Sequence, residues 1–181
     1  MAGDDRIRLF CALQLPEDAL DALEAWQERE LRGVDGRVVP RGNLHVTLAF
    51  LGSRGAGDVE PVAAELRAAS AAAPPSLELR PVRYRETRSV GMIVLEDVSG
   101  AAAALAEAVQ RRLAGAGVYR REARAWLPHI TVLRPRRPEG VRPEVANRCS
   151  IHVVRSALYR SHLGRDGARY EVLETAALGG S

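Results

Sequence analysis

The sequence predicts an α+β fold, and three observations point there. Strand-like and helix-like segments follow one another as strand, helix, strand, helix, hairpin, helix, strand, hairpin, which lacks the regular alternation of a doubly wound parallel sheet. The triplet His-x-Thr occurs twice, at 45 and at 129, each time in a strand-like run with a helix-like segment nearby, a faint internal echo with no short-period repeat behind it. Over 181 residues the chain is 46% hydrophobic and 27% charged, the balance of a globular protein that can bury a core without disulfide or metal.

The elements follow in order. Arg6 to Leu15 alternates apolar and mixed residues and stops at Pro16, which predicts a strand. Glu17 to Leu31 places Leu20, Leu23, Trp26 and Leu31 near helical spacing. Asp35 to Gly42, with its glycines and proline, reads as a connection, and Leu44 to Leu51 as a strand closed by Gly52. Asp58 to Ala73 carries Val62, Leu66 and Ala69 on one stripe and ends at Pro74 and Pro75, so it reads as a helix. Leu77 to Tyr84 and Val90 to Leu95 read as a hairpin around a polar turn. Gly100 to Leu113 reads as a helix capped by Ser99, with Gly115 and Gly117 beyond its end. Trp126 to Leu133 reads as a short strand before the proline- and arginine-rich loop 135–143. Ile151 to Leu158 and Arg169 to Ala176 complete the set as strands around a turn with Gly164, Asp166 and Gly167, and 179–181 is expected to be a disordered tail.

Several function classes drop out. All 26 basic residues are arginine, because the sequence contains no lysine, so a P-loop lysine, a Schiff base and a lysine-adenylate are excluded. Cys11 and Cys149 lie far apart with no C-x-x-C spacing, which predicts free thiols in apolar surroundings rather than a redox or zinc site. Asp4 and Asp5 stand where an export signal needs positive charge, and no apolar run approaches the roughly 20 residues that span a bilayer. A cytoplasmic protein without membrane attachment is expected, and, with no coiled-coil pattern, a monomer. The net charge of +3 and pI near 9.3 are compatible with a polyanionic partner.

The chemistry sits in two blocks, Asn43 to Gly52 and Pro128 to Arg134. Strand side chains alternate, so His45 shares a face with Thr47, and His129 with Thr131. A lone histidine in such a run is more often a hydrogen-bonded core residue. Two matching copies argue otherwise, because an unpaired buried polar group costs about 1–3 kcal/mol and a core gains nothing by repeating one. A cleft shared by both strands accounts for both pairs. Two imidazoles with ordinary pKa near 6.5 can hold opposite protonation states at one pH, as general acid–base catalysis at a phosphodiester requires, and two hydroxyls and an arginine can hold the phosphate oxygens. That chemistry needs no metal and no cofactor.

At these residues the chain resembles the 2H phosphoesterases, and among them the bacterial and archaeal RNA 2′,3′-cyclic phosphodiesterases also called 2′-5′ RNA ligases. The likeness also takes in Arg8 to Leu13 before Pro16, Leu158-Tyr159, Ser161, Gly167 and Tyr170. It implies a single bilobal catalytic domain, 1–181, with two antiparallel β lobes related by a pseudo-twofold axis, helices on the outer faces and a central groove. It also implies that His45 donates a proton to the leaving 3′ oxygen, that His129 accepts one from water, and that Thr47 and Thr131 bind phosphate oxygens. The implied product is a 2′-phosphomonoester, the implied partner RNA with a 2′,3′-cyclic phosphate end, tRNA fragments included, and the reverse reaction a 2′-5′ ligation.

Phe50 and Arg134 each stand five positions after their histidine, where relatives hold the terminal nucleotide. Five is odd, so both reach the histidine face only if the strand twists, bulges or ends after the threonine. Core packing for Phe50 and a solvated loop for Arg134 are the plain alternatives. The segment 90–95 has Gly91 and Met92 where relatives often carry a tryptophan. The basic segments 80–88, 120–124 and 134–142 are candidates for tracking an RNA backbone or are simply solvated, and His152 and His162, without a following threonine, read as structural. Two rival functions stay open: a phosphodiesterase for small cyclic nucleotides or ADP-ribose cyclic phosphate, and a non-catalytic RNA-end binding module.

Overall fold

Strand β1 (Arg6–Gln14) is buried on both sides, and its two faces serve different ends. Leu9, Cys11 and Leu13 enter the main core, whereas Phe10 and Ala12 join Ala157 and Tyr159 in a small cluster on the other side of the sheet. The computed structural model describes residues 6–137, 140–145 and 149–180. Within it follow α1 (Glu17–Glu30), β2 (Gly36–Val38), β3 (His45–Gly55), α2 (Val59–Ala71), β4 (Leu77–Glu86), β5 (Gly91–Asp97), α3 (Ala101–Gly115), β6 (His129–Pro135), β7 (Ile151–Val153), β8 (Arg155–Gly164) and β9 (Gly167–Ala177). Each helix buries one stripe at 3–4 spacing: Ala19, Leu23, Trp26 and Gln27 in α1, Val62, Ala63, Leu66 and Ala69 in α2, Ala102, Leu105, Ala106, Val109 and Leu113 in α3. No helix among the described residues is long and apolar enough to cross a membrane.

The strands form one curled antiparallel sheet in the order β7-β4-β5-β6-β3-β1-β8-β9, with β2 on β6. The expected α+β class and two-lobed plan hold. One half is β7-β4-β5-β6 with β2, the other β3-β1-β8-β9, and among the described residues β3 and β6 pair only at Val46↔Ile130. The chain crosses between the halves repeatedly, so neither half is a contiguous stretch of sequence. A side chain ties them further: Arg37 on β2 donates to the Asp166 carbonyl at 2.8 Å, while Asn43, just before β3, donates to the Ala168 carbonyl of β9 at 2.7 Å. Gly167 makes room for the first of these, since a Cβ there would stand 2.5 Å from the Arg37 guanidinium.

Several boundaries differ from the sequence reading. The connection at 35–42 contains β2, which approaches β6 so closely that a Cβ on Gly36 would meet the Arg134 carbonyl at 2.8 Å. β3 continues through Gly52, which takes a positive φ of 73°, as far as Gly55. β6 starts at His129 rather than Trp126, after Pro128, which has no N–H to give a ladder. The apolar run 151–158 is two strands divided at Val154, where the chain leaves β4 for β1. Asp97 joins Ser99 at the start of α3: its carboxylate accepts from the N–H groups of Gly100 at 3.1 Å and Ala103 at 2.7 Å, and the Ser99 hydroxyl from that of Ala101 at 3.3 Å. Leu178–Gly180 forms a 3-10 turn with Leu178 buried, and Ser181 lies outside the described residues. Cys11 is buried, which pushes its thiol up to about 12, and Cys149 is exposed.

Candidate active site

Val46 and Ile130 face each other across the β3–β6 seam and are fully buried in the core. Their sequence neighbours therefore point the other way, into a groove of about 1090 Å³ lined by His45, Thr47, His129 and Thr131. Carrying the antiparallel register one residue to each side sets His45 across from Thr131 and Thr47 across from His129. The Val46–Ile130 pair is thus a local twofold, and residues facing each other across it stand about 4.5–5.5 Å apart between Cα atoms. Both imidazoles converge on one small region of the groove.

The odd spacing of Phe50 and Arg134 is resolved by two bulges. On β3 the partners of β1 run Cys11↔Ala49 and then Ala12↔Thr47, so Leu48 is skipped. On β6 the partners of β5 run Gly91↔Leu133 and then Met92↔Thr131, so Val132 is skipped. Each skipped residue lies three positions after its histidine, and each extra residue reverses the phase of the strand beyond it. Both strands accordingly bury two successive residues, Leu48-Ala49 and Val132-Leu133, before Phe50 and Arg134 emerge into the groove.

A bulge interrupts the ladder, and side chains from the helices reach the carbonyls of the extra residues, that of Val132 also accepting the Val39 N–H at 3.0 Å. Gln110 of α3 donates to the Leu48 carbonyl at 2.9 Å, and Gln27 of α1 to the Val132 carbonyl at 3.0 Å. Gln27 also reaches the Val39 carbonyl at 3.0 Å, and the Trp126 indole donates to the Thr47 carbonyl at 2.9 Å. These residues escaped the sequence reading. The available signal was a glutamine set on or beside an otherwise apolar helical stripe.

The two histidines are oriented alike and surrounded differently. The His45 Nδ1–H donates to the Asn43 carbonyl at 2.7 Å and the His129 Nδ1–H to the Leu127 carbonyl at 2.8 Å, in each case two residues earlier. This tautomer leaves each Nε2 for the groove. At His45 the Thr47 hydroxyl donates to Nε2 at 3.0 Å. Phe10 lies 4.9 Å from the His45 ring, Tyr170 5.4 Å and Tyr159 6.1 Å, an aromatic wall with no counterpart at His129 among the described residues. Burial behind that wall pushes His45 down to about 4; the bond to Asn43 opposes the fall, and the charges of His129 and Arg134 add to it. In the free protein His45 is neutral at pH 7.

All six residues singled out from the sequence line the same groove. Phe50 is 47% exposed, and the Arg8 guanidinium sits 5.4 Å above its ring. Of the three basic segments, Arg85, Arg124 and Arg134 line the groove, while Arg80 is held by Glu78 and Glu96; positions 138 and 139 of the third segment lie outside the described residues. His152 and His162 do not line it, and His162 pairs with Glu171 at 2.7 Å. Gly91 lies against Tyr84, whose hydroxyl a Cβ there would strike. No group of three or more His, Cys, Asp or Glu side chains placed to hold a metal occurs among the described residues.

Residues 13–90 match the family model described as LigT like phosphoesterase. The chain is 30% identical to the RNA 2′,3′-cyclic phosphodiesterase of Escherichia coli K12 over 173 residues, covering 94% of this chain and 96% of that protein. In structure it is similar to E. coli LigT complexed with 3′-AMP, with a TM-score of 0.80 at 26% identity, covering 96% of this chain and 99% of that one. It is also similar to TT0787 of Thermus thermophilus, with a TM-score of 0.76 at 31% identity, covering 96% and 98%.

Proposed function

The chain belongs to the LigT-like phosphoesterase family, and on that premise we propose that it hydrolyses the 2′,3′-cyclic phosphate ends of RNA to 2′-phosphomonoesters without a metal ion. The observation that carries this reading is the juxtaposition of two His-Thr pairs about Val46↔Ile130, each imidazole anchored through Nδ1 with Nε2 toward the groove. Acid and base thereby stand on either side of a space where a phosphorus atom fits.

In this mechanism His129 Nε2 takes a proton from water as the water oxygen attacks phosphorus opposite the 3′ oxygen. The P–O3′ bond breaks, His45 Nε2 gives its proton to O3′, and the 2′ ester remains. An anionic phosphate beside His45 favours the charged imidazole, so substrate binding raises its proton affinity from the low value of the free protein. Protonation of Nε2 also releases the Thr47 hydroxyl, which, with Thr131 and Arg134, then donates to the non-bridging oxygens. The exposed Phe50 ring, with Arg8 on one face, supplies a stacking platform for the terminal base. With a 5′-hydroxyl in place of water the same proton transfers join ends through a 2′-5′ bond. The enzyme acts as a cytoplasmic monomer in this reading.

The test is incubation of purified protein, in excess EDTA, with an oligoribonucleotide ending in a 2′,3′-cyclic phosphate, followed by phosphorus NMR of the product. A 2′-phosphate is expected. Inactivity in EDTA that added metal restores, or a 3′-phosphate product, refutes the mechanism. Tight binding with no product over hours would instead identify a non-catalytic RNA-end binder.

A further inference from the structure

The β4–β5 hairpin forms the outer wall of one half, and its register carries two rows of side chains outward from the motif strand. Arg85 pairs with Met92, which pairs with Thr131; Arg83 pairs with Val94, which pairs with His129. Residues directly opposite one another in adjacent strands share a face, and Arg85, Met92 and Thr131 all line the groove. At a strand spacing of about 4.8 Å, the two arginines stand about 10 Å across the sheet from the motif residues. That is beyond the cyclic phosphate and within reach of the linkage one nucleotide away.

Their charge is not spent inside the protein. Arg80, earlier on the same strand, is neutralised by Glu78 at 3.3 Å and Glu96 at 3.5 Å. Arg83 and Arg85 are exposed and have no carboxylate partner among the described residues. The adjacent Glu86 takes a bond from the Tyr84 hydroxyl at 3.0 Å, on the opposite face of the strand. Among the described residues that line the groove, Arg8, Arg37, Arg85, Arg124 and Arg134 face two carboxylates, Glu122 and Asp166, and Glu122 is already bound to Arg124 at 2.7 Å. A cyclic mononucleotide brings one negative charge, which Arg134 and the His-Thr pairs meet. The surplus calls for further phosphates, and at about 1090 Å³ the groove exceeds the usual size of a pocket for one small ligand.

We infer that Arg83 and Arg85 form a backbone-binding wall for the phosphodiester preceding the cyclic end, so that the enzyme selects a polynucleotide end over a cyclic mononucleotide. The inference rests on the function proposed above, and it makes these arginines determinants of specificity rather than of chemistry.

The experiment compares wild type with the Arg83→Gln/Arg85→Gln and Arg83→Glu/Arg85→Glu variants. Turnover is measured on a cyclic-phosphate oligoribonucleotide and on a cyclic mononucleotide, over a range of salt. The glutamate variant should lose about 10- to 100-fold in kcat/KM on the oligonucleotide and keep the mononucleotide rate within about twofold, with the salt slope falling by about 0.7 per lost phosphate contact. Equal losses on both substrates, or no loss on the oligonucleotide, overturns the inference. Binding of the same oligonucleotide with a 2′-phosphate end, read by fluorescence anisotropy, separates this idea from its premise. Weaker binding in the variants supports the wall even if wild type turns over neither substrate, and unchanged binding rejects it even if the enzyme is active.

Discussion

The side-chain amide of Gln110 on α3 holds the main-chain carbonyl of Leu48 at 2.9 Å, at the residue that β3 inserts between Thr47 and Phe50. Gln27 does the same for Val132 on β6. The threonine proposed to bind phosphate lies before each bulge and the residue proposed to hold the terminal nucleotide after it, so each glutamine sits at the joint between the two proposed roles.

Gln110→Leu should therefore act on binding more than on chemistry. Leaving the carbonyl unpaired costs about 1–3 kcal/mol, a fall in Tm of several degrees for a chain of this size. With the bulge free to slip, Phe50 loses its direction while His45 and Thr47 keep theirs. Steady-state kinetics on a cyclic-phosphate oligonucleotide should show KM rising several-fold with kcat changed less. A lower Tm with KM untouched would mean that the bulge stands without Gln110.

The aromatic wall around His45 should set the acid side of the pH profile if His45 takes part in the reaction as proposed. In the free enzyme His45 titrates at about 4 rather than 6.5, so kcat/KM should fall as pH drops through about 4. The groups facing His45 are Thr47 on its own strand, His129 and Arg134 on β6, Phe10 on β1, Tyr159 on β8 and Tyr170 on β9. Tyr170→Ala admits water to the ring and should move the acid limb upward toward 6.5, while Tyr170→Phe should leave it in place. A limb that stays put in Tyr170→Ala would show that burial is not what depresses His45.

The same depression has a cost in stability with a definite sign. Between pH 6.5 and about 4 the unfolded chain binds a proton at His45 that the folded chain excludes, so stability is full above 6.5 and is lost as pH falls through that window. Replacing His45 with Gln removes this contribution and leaves the other titrating groups nearly as they were. In thermal melts the Tm of His45→Gln relative to wild type should rise steadily from pH 7 to pH 4.5. A pH-independent difference would contradict the buried neutral state.

Much of the fold was legible because its signals are local. The helical stripes of α1 to α3, the β4–β5 hairpin and the two His-x-Thr strands all follow from periodicity and breakers within a few residues. What escaped depends on partners distant in sequence. β2 exists because Gly36 lets the chain approach β6, and Val154 divides an unbroken apolar run only because the two sides pair with different strands. The bulges were half legible: Leu48-Ala49 and Val132-Leu133 break the alternation, but only the register shows which residue is the extra one. Phe10, Tyr159 and Tyr170 all fall within the likeness noted in the sequence, but their spacing in the chain gives no sign of the wall they build from β1, β8 and β9.

Which histidine is the acid is a question the pH profile cannot answer, because a rate that needs one protonated and one neutral imidazole has the same form whichever is which. The leaving group can answer it. A 3′ alkoxide must be protonated as it departs, whereas a nitrophenolate departs without help, so a nitrophenyl phosphodiester removes the need for an acid and keeps the need for a base. If His45 is the donor, His45→Ala should lose about 10²–10⁴ on the cyclic phosphate and far less on the nitrophenyl ester, while His129→Ala loses on both. The reverse pattern would exchange the two roles, and it is a pattern with a physical motive: neutral His45, accepting a bond from Thr47, already has the form of a base. Only the field of the bound phosphate makes it a donor, so the two single variants measured on the two substrates decide whether that field is strong enough.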